Sequence, residues 1–119
     1  MLQGPPETAA AADVANSRDL CPECLQPFAL RHPRQLFCSP AHRDVWHNRW
    51  TVRGRAFAAL ATAARMTRGG TRGDKATGLR ARGEAERMQA RWIVEDRAKP
   101  RMTAIAYVAL RLRRGFDPA

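Results

Sequence analysis

The pattern of apolar and polar positions predicts one long helix over residues 39–67. Apolar residues recur there at intervals of four, seven, three and four positions, which places them along one side of a helix. That stripe consists of Trp46, Trp50, Phe57, Leu60 and Ala64. Ser39 is a favourable N-cap, and Pro40 suits the first helical position, where its missing N–H is not needed. Gly69 and Gly70 are expected to end the helix.

Two shorter helices are predicted beyond a glycine-rich segment. Residues 71–78 contain no bulky apolar residue and are expected to form a loop. The second helix is expected over residues 79–98, with one apolar face formed by Ala81, Ala85, Met88 and Trp92. The third is expected over residues 104–114, with Thr103 as its N-cap. Its apolar stripe is predicted to comprise Ile105, Val108, Ala109 and Leu112.

The chain before the helices divides into a tail and a short β segment. Residues 1–20 carry a net charge of −2 and almost no bulky apolar residue, so a disordered N-terminal tail is expected. Within residues 21–38, prolines favour turns and apolar pairs favour short strands, which predicts a β-hairpin with its turn at His32-Pro33. Its strand faces are predicted to be Phe28, Leu30, Leu36 and Phe37.

All three cysteines and one histidine have the spacing of a zinc site. Cys21 and Cys24 form a Cys-x2-Cys pair, and Cys38 and His42, after thirteen intervening residues, form a Cys-x3-His pair. The first pair closes a tight turn in which both thiolates can face one ion, and residues four apart share one face of a helix. We therefore predict that these four residues bind a single Zn²⁺. Because four protein ligands leave no position for water, the zinc is expected to be structural.

Two alternatives remain open for this cluster. The Cys-x2-Cys pair could be a redox pair with one spare thiol, but such a pair usually opens a helix in a βαβ unit, and no such alternation appears in the sequence. His47 or His32 could also replace His42 as the fourth ligand. His47 lies on a different helical face, and His32 would require its loop to fold back.

The Cys-Pro-x-Cys sequence, a short hairpin and a Phe-Cys-Ser-x-x-ligand sequence opening a helix resemble the treble-clef zinc fingers of small bacterial proteins. The pattern is similar to that of the YacG gyrase-inhibitor family, whose motif is Cys-Pro-x-Cys … Phe-Cys-Ser-x-x-Cys-Arg. The matched positions are Cys21, Cys24, Cys38, His42 in place of the last cysteine, Arg43 and, for a tryptophan of that family, Trp50. The resemblance covers residues 21–50 and implies a treble-clef knuckle, with gyrase as the partner.

Together these elements predict a small α-rich, zinc-bound domain. A treble-clef-like zinc knuckle and β-hairpin would be followed by a long helix and two further helices. The zinc-finger module is expected over residues 21–50, and the helical region over residues 51–119 is expected to pack on it, giving one domain over residues 21–119. Few bulky apolar residues are present, so a bound metal is expected to compensate for a small core.

The charge balance points to an anionic partner. Lys and Arg outnumber Asp and Glu by 21 to 11, a net charge of +10. Nineteen of the basic residues are Arg, which a GC-rich genome would favour, but codon bias does not explain the net charge. Nucleic acid, and DNA in particular, is therefore the expected partner, with an anionic membrane surface or an acidic protein as the alternative.

No apolar run in the sequence approaches the length of a membrane span, and the N-terminus lacks the pattern of a secretory signal. Free thiols in metal-ligand spacing fit a reducing cytoplasm, where association with the nucleoid would follow from DNA binding. No membrane partner is therefore expected.

Residues 51–78 form the most basic stretch, with six cations against one acid. Its glycines would let the backbone approach a phosphate closely, although a solvated linker would have the same composition. The predicted nucleic-acid-binding residues are Arg43, Arg49, Arg53, Arg55, Arg65, Arg68, Arg72 and Lys75.

These features predict a strongly basic nucleic-acid-binding protein that contacts the phosphate backbone with little sequence specificity. The alternative is a protein-binding zinc module that regulates a DNA-acting enzyme, as the YacG resemblance implies, with Trp46 and Trp50 forming the contact. No catalytic constellation appears in the sequence, so neither enzymatic activity nor a small-molecule substrate is expected. The composition would suit a bacterial or phage protein.

Overall fold

The computed structural model describes residues 20–116 of the chain. Three helices form within this range: α1 (Pro40–Thr67), α2 (Lys75–Arg97) and α3 (Ala104–Arg113). The prediction of a small helix-rich fold is thereby confirmed. None of the three helices contains an 18-residue stretch apolar enough to cross a bilayer. Apart from Leu20, the tail predicted at the N-terminus lies outside the described residues.

The described residues divide into two compact units. The metal unit comprises residues 20–46 and 96–116, and the hairpin unit comprises residues 47–95. α1 begins in the metal unit, and α2 ends in it. The C-terminal segment therefore belongs with the cysteine-containing segment, from which it is distant in sequence.

The β-hairpin predicted over residues 21–38 is not shown. No β-strand forms in the described part of the chain, where β pairing is limited to an isolated antiparallel bridge between Leu20 and Pro27. The segment instead consists of turns and irregular backbone, stabilised by side-chain hydrogen bonds.

The side chain of Gln35 supplies hydrogen bonds that a hairpin would take from its partner strand. Its Oε1 accepts from the N–H of Arg31 at 2.8 Å, and its Nε2 donates to the carbonyl of Phe37 at 2.8 Å. From the C-terminal segment, Nη2 of Arg114 donates to the carbonyls of Pro33 and Gln35 at 2.6 and 2.8 Å. These contacts satisfy backbone groups that strand pairing would otherwise satisfy.

Trp46 lies at the centre of the metal unit, where only 2% of its surface is exposed. The centroid of its ring is 4.7 Å from that of Tyr107 and 6.2 Å from that of Phe37. The buried Met102 connects the C-terminal segment to the first cysteine turn, because its N–H donates to the carbonyl of Pro22 at 2.8 Å. Aromatic packing and one backbone hydrogen bond thus join segments that are far apart in sequence.

α3 buries a different face from the one that its sequence pattern predicts. Ala106 and Leu110 are 2% and 0% exposed, whereas the predicted stripe residues Ile105, Val108 and Leu112 are 73%, 49% and 61% exposed. That stripe was wrong because the rotation of this short helix follows the packing of Tyr107 on Trp46.

N-caps define where α2 and α3 begin. Oγ1 of Thr103 accepts from the N–H of Ala106 at 3.3 Å, which confirms the predicted cap of α3. The carboxylate of Asp74 accepts from the N–H of Thr77 at 3.0 Å and from its hydroxyl at 2.8 Å. Because this cap starts α2 at Lys75, the predicted loop was wrong in its last four residues.

The hairpin unit consists of the antiparallel parts of α1 and α2. The ring of Trp92 lies edge-on to Trp50 and Phe57, with centroid distances of 6.4 and 5.6 Å. Near the connection between the helices, a Cβ on Gly78 would overlap Oγ1 of Thr67 and lie 2.9 Å from the amide nitrogen of Gly70. Glycine at this position therefore allows the two chain segments to approach closely.

We predict that Gly78→Ala lowers the free energy of unfolding by about 1–3 kcal/mol, because the added methyl group overpacks this contact. Gly54→Ala is the matched control, since nothing lies within 4 Å of a Cβ added in that part of α1. The control should raise stability by up to about 1 kcal/mol through helix propensity alone. Urea denaturation followed by circular dichroism measures both changes, and equal effects would contradict the packing explanation.

Candidate metal centre

The first ligand pair lies in a tight turn. The N–H of Leu25 donates to the carbonyl of Cys21 at 2.8 Å, and the N–H of Cys21 donates to the carbonyl of Gln26 at 3.0 Å. Leu25 has a φ of 58°, a left-handed conformation that is unfavourable for a residue with a side chain. This bend reverses the chain directly after Cys24, so that both sulfurs of the pair lie on the same side of the turn.

The second ligand pair lies at the start of α1. Oγ of Ser39 accepts from the N–H of His42 at 3.2 Å, and its carbonyl accepts from the N–H of Arg43 at 3.1 Å. Ser39 is thus the N-cap that the sequence predicts, with Pro40 as the first helical residue. Cys38 lies just before this cap and His42 lies in the first turn of α1, and Sγ of Cys38 is 3.1 Å from Nδ1 of His42.

Four donor atoms converge at this point. The ligand atoms of Cys21, Cys24, Cys38 and His42 all lie within 4.8 Å of one another. Nδ1 of His42 is 3.8 Å from Sγ of Cys21, and the sulfurs of Cys24 and Cys38 are 3.9 Å apart. Bonds of about 2.3 Å to sulfur and about 2.0–2.1 Å to nitrogen place tetrahedral ligand atoms roughly 3.5–3.8 Å apart. The four residues are therefore close enough to bind one metal ion.

The donor set fits zinc. Three sulfurs and one imidazole nitrogen form a combination typical of structural Zn²⁺ sites, and thiolates select against hard cations such as Mg²⁺ and Ca²⁺. With all four tetrahedral positions occupied by side chains, a zinc ion bound here would supply the folding energy of a cross-link. The four residues therefore fit the zinc ion that their spacing in the sequence predicts.

The two cysteines of the first pair differ in their ease of ionisation. Burial raises the pKa of the Cys24 thiol to about 11, and the neighbouring Cys21 sulfur contributes to the rise. Burial also acts on Cys21, but backbone hydrogen bonds, the strongest from Cys38, together with the His42 imidazole, lower its pKa below the ordinary value. Such bonds stabilise the thiolate form that a metal requires.

The alternative ligands and the redox interpretation fit the structure less well. His32 and His47 are exposed, and neither belongs to the cluster. All three cysteines are free thiols. The Cys-x2-Cys pair lies in a turn and does not open a helix, as the reactive pair of a redox protein usually does.

The predicted nucleic-acid-binding residues fall into three groups. Arg43 is exposed and forms an ion pair with Asp44 at 3.2 Å, and Arg49 is half-buried. Arg53 is only 6% exposed. The other five are exposed, namely Arg55, Arg65, Arg68, Arg72 and Lys75.

Arg53 is an interior residue of the hairpin unit. Its guanidinium group lies 4.6 Å from the ring centroid of Trp50 and 5.4 Å from that of Trp92, and it donates to the carboxylate of Glu95. From helix periodicity, an Arg is expected to face solvent. The side chain of Arg53 is instead buried by two aromatic rings. Arg53 therefore does not belong to the exposed cationic surface.

The tryptophans also have interior roles. Trp46 is buried, and Trp50 is half-buried against Trp92. Neither forms an exposed platform for stacking bases or for binding a protein. Comparison with protein-family models, with curated proteins and with solved structures finds no match for this chain.

We predict that the purified protein contains one zinc ion per chain, measured by elemental analysis after dialysis against a mild chelator. His42→Ala should lose the metal under these conditions, because three ligands remain and water enters the fourth position. His47→Ala is the matched control and should keep one zinc per chain, since His47 lies outside the cluster. Equal metal contents in the two variants would contradict the ligand set.

We also predict that zinc binding releases protons at pH 7. With a pKa of about 11, the Cys24 thiol is protonated in the metal-free protein, and it must lose that proton to bind the metal. Zinc affinity should therefore rise with pH below that pKa. Titration calorimetry in buffers of different ionisation enthalpy counts the released protons, and a heat that does not depend on the buffer would contradict this prediction.

Proposed function

We propose that this chain is a nucleic-acid-binding protein in which one structural zinc ion stabilises the metal unit. In this proposal, cationic side chains contact the phosphate backbone with little dependence on base sequence. The observation that carries the proposal is the exposure of six of the eight predicted contact residues. Five of the six belong to the hairpin unit, and four of those lie close together in sequence at 65–75.

The charge of the hairpin unit supports this proposal. Its residues include eleven Lys or Arg against four Asp or Glu. The one acid in the connection between α1 and α2, Asp74, accepts hydrogen bonds from Thr77 as the cap of α2. A surplus of this size on a small surface attracts a polyanion and releases its counterions on binding.

We further propose that the metal unit contains a treble-clef knuckle related to those of the YacG type. The support is the order of the ligands, with two in a turn and two at the start of a helix. The reducing environment that three free thiol ligands require favours the cytoplasm as the location, with nucleoid association following from DNA binding.

A second candidate function is that of a protein-binding zinc module that regulates a DNA-acting enzyme. The exposed apolar side chains of Ile105, Val108 and Leu112 on α3 favour it, because they lie on one face of that helix. The buried Trp46 would not form the contact in this case. The nucleic-acid function is preferred, because charge is distributed over the whole hairpin unit whereas the apolar face is one short helix.

We predict that the affinity for a DNA duplex of arbitrary sequence falls steeply with salt concentration. If the five exposed cations predicted in the hairpin unit, Arg55, Arg65, Arg68, Arg72 and Lys75, each neutralise one phosphate, a plot of log K against log salt has a slope of about −4.5. Replacing both Arg72 and Lys75 by Gln should make the slope shallower by about 2, because two phosphate contacts are lost. Fluorescence anisotropy over a series of salt concentrations measures the slope.

Pull-down from cell extract, with and without nuclease at low and high salt, separates the two candidate functions. Capture of nucleic acid that is lost at high salt supports the first. A slope near zero, or one protein that is retained at high salt after nuclease treatment, would contradict the nucleic-acid function and favour the protein-binding module.

A further inference from the structure

A groove of about 500 Å³ lies in the hairpin unit, where α1 ends and α2 faces it. Its lining consists of Ala64, Arg65, Arg68, Gly69 and Arg82. Three of these five residues are arginines, none is acidic, and all three arginines are exposed. We propose that this groove is a phosphodiester-binding site in which Arg65, Arg68 and Arg82 hold the backbone of a nucleic acid strand. This inference rests on the proposed function and locates one of its contacts.

The three guanidinium groups reach the groove from three different backbone environments. Arg65 lies in the last turn of α1, Arg68 follows the helix with a left-handed φ of 48°, and Arg82 projects from α2. Local hydrogen bonds at the end of α1 hold this conformation, since the N–H of Arg68 donates to the carbonyl of Arg65 at 3.2 Å and the hydroxyl of Thr71 donates to the carbonyl of Arg68 at 3.0 Å. The sequence pattern alone does not bring Arg82 to the other two.

Arg82 is held close to the backbone of Gly69. A Cβ added to Gly69 would lie 2.9 Å from Nη1 and 3.1 Å from Cδ of Arg82, and Gly69 has a φ of 66°. Nε of Arg82 donates to Oε2 of Glu86 at 3.1 Å, one turn further along α2. The absence of a side chain at Gly69 and the hydrogen bond to Glu86 therefore position the Arg82 guanidinium at the end of α1.

Cations are favourable near the C-terminal end of a helix dipole, but this effect alone does not explain why three arginines lie at the end of α1. A helix C-terminus carries about half a negative charge, and one cation in the last turn is enough to offset it. With Glu86 counted as well, three guanidinium groups leave roughly one and a half positive charges at the groove. The dipole accounts for Arg65 or Arg68, but Arg82 comes from the opposite helix.

The chemistry of the groove favours a phosphodiester over a small metabolite. Guanidinium groups donate two parallel hydrogen bonds to phosphate oxygens and keep their charge at any physiological pH. The groove lies at the surface, and its three arginines are exposed, so a polymer can reach it. None of the five lining residues is acidic, so no side chain of the lining repels a phosphate.

The test compares Arg82→Gln with Arg80→Gln in the full chain, using a fluorescein-labelled DNA duplex of arbitrary sequence. Arg80 is the matched control, because it is an exposed Arg on the same helix that does not line the groove. We expect Arg82→Gln to weaken binding about tenfold, as loss of a charge-assisted phosphate contact implies. Arg80→Gln should change affinity less than about twofold, because Arg80 lies on another face of α2 and does not line the groove.

A second variant separates geometry from charge. Arg82→Lys keeps the positive charge but lacks the planar guanidinium group that donates two parallel hydrogen bonds. On a logarithmic scale, it should therefore regain less than half of the affinity that Arg82→Gln loses. Equal affinities of Arg82→Gln and Arg80→Gln, or full recovery by Arg82→Lys, would overturn the groove site while the proposed function stands. Absence of duplex binding by the unmodified protein would overturn the proposed function and this site together.

Discussion

Convergence of three sulfurs and one imidazole nitrogen at a single point is the constraint on which the metal unit depends. The cysteine turn and the start of α1 are separated by thirteen residues, yet their donor atoms lie within 4.8 Å. A divalent cation at this point would join the two segments, while Trp46 and the hydrogen bond from Met102 hold the C-terminal segment against them. A core this small gains from such a cross-link because its apolar burial is limited.

The hairpin unit is stabilised by different means. Close approach at Gly78 brings the helix ends together, and Trp92 packs between the aromatic residues of α1. The arginines of this unit differ in how far they are buried. Arg53 lies against Trp50 and Trp92 and serves the packing, whereas Arg65 and Arg82 remain exposed at the groove. One residue type thus has an internal structural role and an external role in the same pair of helices.

Local features of this protein could be predicted from residues close together in the chain. Backbone geometry over three or four residues was enough to predict the Cys-x2-Cys turn and the pairing of Cys38 with His42. It was also enough to predict the N-caps Ser39 and Thr103. The number of helices followed from periodicity for the same reason. Asp74 was missed as the N-cap of α2, although Asp is among the residues most favoured at that position.

The sequence by itself determined the four candidate ligands, the three helices and the sign of the charge, because each depends on composition or short-range spacing. Only the tertiary structure decided which face of α3 is buried, that Arg53 is internal and that Arg82 joins Arg65 across the hairpin unit. Those outcomes depend on contacts between residues that are distant in sequence. Periodicity indicates that a helix has an apolar face, but it does not indicate which neighbouring element covers that face.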